Sequence, residues 1–172
     1  MKRKPCRESF VVKTSHVLPP DTNNFGTLFG GKLMAHIDDV AAIAAVRHAR
    51  NPVVTASTDS VDFLAPVNLG HSICLEAFVT WTHQTSMEVF VKAVTEDLLS
   101  GERKVCTTAF LTFVAVDDDG RPVSVPDVYP ETEMEKKLHA EASVRAQQRK
   151  ERRKQSKQFA AEFGTAFPWD RT

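Results

Sequence analysis

Apolar and polar residues alternate from Ser9 to Val17, the period of a half-buried strand, and Pro19-Pro20 ends the run. A loop rich in turn formers follows (PPDTNNFGTLFG, Pro19 to Gly30). The period then changes. From Gly31 to Ala49, Leu33, Met34, Ile37, Val40, Ala41 and Ala44 recur at helical spacing, with apolar residues extending well round the helix. This predicts a mostly buried helix whose alanine-rich middle lets another backbone, or a ligand, approach closely. Strand-like runs return at Val53–Phe63, His71–Thr82, Met87–Thr95 and Lys104–Val116, separated by Ala65 to Gly70 and by the turn at Ser100-Gly101-Glu102. Asp117-Asp118-Asp119-Gly120 closes the series. One strand, one long helix and four strands, meandering and antiparallel, define an α+β domain with a five-stranded sheet packed on the helix.

From Glu131 to about Gln158 the chain is highly charged and free of Gly and Pro, acidic early and basic late. That order suits the helix dipole and predicts a solvated helix. The organisation expected is therefore a domain over residues 1–130 and a charged helical extension over residues 131–172. The last residues, FAAEFGTAFPWDRT, carry no clear period, and no internal repeat occurs.

Composition narrows the setting. A chain of 172 residues with 42% hydrophobic and 26% charged residues has the make-up of a soluble globular protein, and its net charge of +0 gives no general attraction to nucleic acid or membrane surfaces. No signal sequence or membrane span is legible, so the expected compartment is the cytoplasm. Cys6, Cys74 and Cys106 are scattered, which argues against disulfides and a structural zinc. Cys74 and Cys106 lie in apolar runs, where a thiol acts as a small hydrophobe.

The helix start is the place to look for chemistry. Unpaired N–H groups and partial positive charge collect there, and Gly30-Gly31 removes side chains that would keep a substrate oxygen away. An oxyanion site needs that arrangement, though a tight turn explains the pair equally well. Asp38 falls at the border of the apolar stripe, where desolvation would raise its pKa and make it a better base; a hydrogen-bonded structural acid is the bland alternative. Asp39 falls on the opposite side and reads as a surface or salt-bridged residue. In the loop, Asn23 and Asn24 are turn formers, or one of them orients a water or a thioester oxygen; spacing does not choose. The six histidines lack metal-ligand spacing, and His36 lies on another face from Asp38. Serine hydrolase, P-loop and dinucleotide motifs are absent.

The run Asp21-Thr22-Asn23-Asn24-Phe25-Gly26-Thr27-Leu28-Phe29-Gly30-Gly31, then Asp38, resembles the signature of hot-dog acyl-CoA thioesterases, the bacterial and cytosolic brain-type acyl-CoA hydrolases. Asp62-Phe63-Leu64-Ala65-Pro66-Val67 with Gly70, Thr85-Ser86-Met87-Glu88-Val89 and Ser100-Gly101-Glu102-Arg103-Lys104 are similar to further family segments in the same order. The resemblance covers roughly Ser9 to Lys150.

It implies a sheet wrapped round the long helix, paired edge to edge with a second copy and assembled as a trimer of dimers, with sites at the dimer interface. It also implies hydrolysis of an acyl-CoA thioester to CoA and a carboxylic acid. Asp38 acts as general base or nucleophile, Asn23 comes from the partner subunit, and the Gly30-Gly31 N–H groups hold the oxyanion. No metal or cofactor is implied, since CoA belongs to the substrate. Arg103, Lys104 and the basic tail (Arg149, Lys150, Arg152, Arg153, Lys154) are candidates for its phosphates. Phe63 and Ser86 are candidate substrate contacts, set against core packing for Phe63 and a turn for Ser86. Phe29 and Phe25 depart from relatives with a His and a small residue there, leaving acyl length open. Two rival readings are a hot-dog hydratase or dehydratase, which needs a His beside the carboxylate, and a regulatory module binding acyl-CoA or a nucleotide.

Overall fold

The computed structural model describes residues 3–167 and 169. Its main sheet has the strand order β2-β4-β5-β6-β3, antiparallel throughout: β2 is Val11–His16, β3 Val53–Phe63, β4 Ser72–His83, β5 Ser86–Glu96 and β6 Arg103–Ala115. A two-residue parallel pair, β1 (Lys4–Pro5) with β7 (Val128–Tyr129), ties the N-terminus to the segment after the sheet. Helix α1 spans Gly30–Ala49 and α2 spans Glu133–Phe163.

The expected simple meander is corrected. Only β4, β5 and β6 follow one another as neighbours; β2 and β3 lie at opposite edges. The reason is α1, which crosses the face of the sheet and delivers the chain to the far side. The first strand is also shorter than its alternation suggested, because Cys6–Ser9 forms a 3-10 turn.

The core lies between α1 and the inner face of the sheet. Leu33, Ile37, Val40, Ala41, Ala44 and Ala45 meet the inward residues Ile73, Leu75, Ala77 and Val79 of β4, Val89, Val91 and Ala93 of β5, and Ala109, Leu111 and Phe113 of β6, all buried. The three alanines are fully buried, as close packing of a helix backbone on strands requires. Arg50, with φ 57°, ends α1 in the left-handed conformation, its N–H bonded to Val46 O.

On the outer face, Phe78, Phe90 and Phe110 sit side by side across β4, β5 and β6, and Arg145 of α2 stacks over Phe110 at 4.2 Å. Here the expectation of a solvated helix fails. Thr132 and Glu135 form a capping box at the start of α2, and Leu138 and Ala142 are buried. Beyond them the helix docks through charge. Arg145 pairs with the fully buried Glu88 (2.7 Å), while Arg149 and Arg152 pair with Asp59 (2.7 and 2.6 Å). Those arginines lie four and three residues apart, on one helix face, so an apolar-periodicity reading finds no stripe there. Residues 151–163 are exposed. Among the described residues no helix is long and apolar enough to cross a membrane.

Candidate active site

The loop before α1 is built by its own polar side chains. Asn23 Oδ1 accepts from the N–H groups of Phe25 (2.9 Å) and Thr27 (3.3 Å), and its Nδ2 donates to Thr27 Oγ1 (2.9 Å). This is an Asx-type turn, and it distinguishes the two asparagines: Asn23 is half-buried and holds the turn, while Asn24 is exposed. One N–H of the Asn23 amide remains free to donate elsewhere. The loop is fastened to the helix start by Phe29 N–H to Asp21 O (2.8 Å) and by the Lys32–Asp21 ion pair (3.2 Å).

No side chain caps α1 at Phe29. Among the described residues the N–H groups of Gly30 and Gly31 have no acceptor, so they are available to a ligand. At Gly31 an added Cβ would lie 2.6 Å from the Phe29 ring, so a side chain there would displace that exposed ring from the mouth. Phe29 and Phe63 flank this mouth, both more than half exposed, so Phe63 is not the core residue that its apolar run suggested. Beside them opens a hollow of about 230 Å³ lined by Leu28, Leu33, Phe63, Leu64, Ala65, Pro66 and Val67.

Asp38 lies two turns along α1. Its expected desolvation is not found within the protomer, where the residue is exposed. The carboxylate is instead oriented by Thr55 of β3, whose hydroxyl donates to Oδ1 at 3.0 Å. Sequence reading does not single out Thr55; its signal is a hydroxyl near the start of a strand that packs beside the helix. Asp39, as expected, is exposed and paired with Lys13 at 2.5 Å. None of the histidines bonds to Asp38, and His36 has its pKa lowered by burial first and then by Lys13 and Lys32. The acid–His pair of a hydratase is therefore missing from this protomer.

Because Gly30 neighbours Phe63 and Asp38 neighbours Thr55, α1 runs antiparallel to β3. Asp38 lies eight residues beyond Gly30 and seven beyond Gly31, roughly 10–12 Å along the axis. The structure brings the remaining candidates to neither point. Arg103 and Lys104 stand exposed at the start of β6, next to Glu96 (3.5 Å) and Glu102 (2.9 Å). Ser86 donates to His83 O in the β4–β5 turn and lines a space beneath α2, across the sheet from α1. Arg149 and Arg152 are engaged by Asp59 on that outer face, while Lys150 and Arg153 form no ion pair among the described residues. No metal-ligating cluster occurs among the described residues.

The sequence over residues 25–102, which carries the glycine mouth and Asp38, matches the thioesterase superfamily. A Bacillus subtilis (strain 168) protein, named an uncharacterized acyl-CoA thioester hydrolase, is 61% identical over 134 residues, 78% of each chain. An acyl-CoA hydrolase from Staphylococcus aureus, solved with butyryl-CoA, CoA and CoA disulfide, is 44% identical with a TM-score of 0.90, covering 95% of this chain and 99% of that one. Variants of that enzyme with an aspartate, a threonine or an asparagine changed to alanine share the same fold. A hexameric acyl-CoA thioesterase solved without ligand is 50% identical with a TM-score of 0.87, covering 88% and 97%. The chain thus belongs to the hot-dog acyl-CoA thioester hydrolases of the thioesterase superfamily.

Proposed function

We propose that the protein hydrolyses acyl-CoA thioesters in sites shared between two copies of the chain, with Asp38 as the carboxylate that activates water or attacks the thioester. The observation that carries this reading is the separation just described. A base working through one water and a donor holding the carbonyl oxygen must lie within roughly 7 Å of each other. The roughly 10–12 Å of axial rise between Asp38 and the Gly30-Gly31 N–H groups of one protomer is longer than that. Two copies paired along the free edge of β3 can bring Asp38 of one to the helix mouth of the other. That pairing would also cover the exposed Val54, Phe63 and Leu64 and desolvate Asp38.

The roles follow from the bonding. Thr55 holds Asp38 Oδ1, which leaves Oδ2 for the water or the thioester carbon. The free amide hydrogen of Asn23, from the partner subunit, orients the water or carbonyl. The helix N–H groups hold the developing oxyanion. The acyl chain enters the apolar hollow beside Phe63, and the CoA phosphates draw on Arg103, Lys104 and two basic residues of α2 that no carboxylate holds among the described residues, Lys150 and Arg153. The three positions altered in the Staphylococcus aureus variants stand 15 and 17 residues apart, the spacings of Asn23, Asp38 and Thr55 here, which supports the same trio. The hexameric relative supports assembly as a trimer of such dimers.

The test is thiol release from a panel of acyl-CoA esters. Wild type hydrolyses at least one of them, and Asp38→Asn loses about 10²–10⁴-fold in kcat while staying folded and oligomeric. Full activity in Asp38→Asn would refute the assignment.

A further inference from the structure

Strand β3 does two jobs that a regular strand cannot combine. Thr55 faces α1 and bonds to Asp38, whereas Ser57 and Asp59 face α2. In an unbroken strand residues 55, 57 and 59 would all point to one side. The register against β6 shows how the conflict is resolved: Thr55 pairs with Phe113 and Ser57 with Thr112, leaving Ala56 as an extra residue, and a second irregularity falls at Asp59, between Thr58 and Ser60. Each bulge re-aims the side chains that follow it.

Something must hold the bulges where they are, because β3 is an edge strand with a neighbour on one side only. A slip of one residue would turn Thr55 away from Asp38 to the outer face. The holding group is Asp59. Its carboxylate, only 9% exposed, accepts from Ser57 Oγ (2.6 Å), Thr112 Oγ1 (3.1 Å), Arg149 (2.7 Å) and Arg152 (2.6 Å), and Arg152 also donates to its backbone carbonyl (3.1 Å). Five bonds from three elements converge on one bulged residue, four positions from Thr55.

We infer that Asp59, gripped by Arg149 and Arg152 of α2, is a positioning residue for the reaction, fixing the β3 bulges so that Thr55 presents its hydroxyl to Asp38. The inference rests on the roles of Asp38 and Thr55 proposed above. It makes α2 a working part of the catalytic unit, acting through the sheet from the opposite face.

The experiment is a double-mutant cycle on the full-length chain, with kcat and KM measured separately for Thr55→Val, Asp59→Asn and the pair. Thr55→Val should lower kcat by about tenfold, the worth of one hydrogen bond to a charged group. Asp59→Asn should lower kcat by a similar factor with KM little changed, and the double variant should be no slower than Thr55→Val alone. Arg152→Gln, at a partly exposed site, repeats the measurement with less risk to folding and should show a smaller loss of the same kind. Multiplicative losses in the double variant, or undiminished kcat in both Asp59→Asn and Arg152→Gln, would overturn the inference while leaving the thioesterase reading intact. Full kcat in Thr55→Val would instead overturn the role of Thr55, and the inference with it.

Discussion

Among the residues, His48 shows what burial does to a titratable group. It is fully buried near the end of α1, with Nε2 against Pro126 O at 2.8 Å and Nδ1 unpartnered. Burial, with Lys4 adding to it and the Pro126 bond opposing it, holds its pKa below the ordinary 6.5. The unfolded chain therefore binds the proton more readily. Stability should be fullest above 6.5 and decline as pH falls from there through the lower folded value. Melts between about pH 5 and 8 should show this slope, and His48→Gln should flatten it whatever its effect on absolute stability. Cys6 gives a second test. Burial pushes its thiol up to about 12 and also raises Cys106, so iodoacetamide near pH ~8 should leave both unmodified until the protein is denatured. The positions of Asp38 and the glycines on α1 were legible from sequence, because periodicity places a residue on a helix face, but the exposure of Asp38 within the protomer was not. Nor was Thr55, since its role depends on which strand lies beside that face.

At the level of elements, the sheet and α1 could be read from alternation and helical spacing, while the docking of α2 could not. Hydrophobic periodicity finds apolar stripes, and the stripe on α2 is made of Arg145, Arg149 and Arg152 seated on Glu88 and Asp59. Buried pairs of this kind are costly to break and cheap to replace whole. Glu88→Met or Arg145→Met alone should destabilise the protein by about 3–5 kcal/mol in denaturant titrations, because each strands a buried partner. The double variant should recover much of that loss. Additive losses would mean that the two groups do not act as a pair. The strand order was likewise hidden from a local reading, because the path of α1 across the sheet sends β3 to the far edge.

For the molecule as a whole, the proposed sharing of the site between two copies makes a prediction that a single-chain site would not. In a dimer of one Asp38→Asn and one Asn23→Ala protomer, one site holds both substitutions and the other holds neither. Mixing the two inactive variants under conditions that exchange subunits should therefore restore thiol release, up to about half of the wild-type rate in each mixed pair. No recovery despite demonstrated exchange would place both residues in the same protomer's site. Placing lysines at Val54 and Leu64 should shift the protein toward single chains in sedimentation and remove activity with them.

The charged seat of α2 also bears on how the protein is made. Synthesis runs from the N-terminus, so the whole sheet leaves the ribosome before the helix that covers its outer face. Until Arg145 and Arg149 arrive, the ring row of Phe78, Phe90 and Phe110 faces solvent, and the carboxylates of Glu88 and Asp59 lie beside it without their cations. A message truncated near residue 130 would leave the nascent chain in that state. Helix α2 thus closes an apolar, acid-rimmed surface that any product ending before it would leave open.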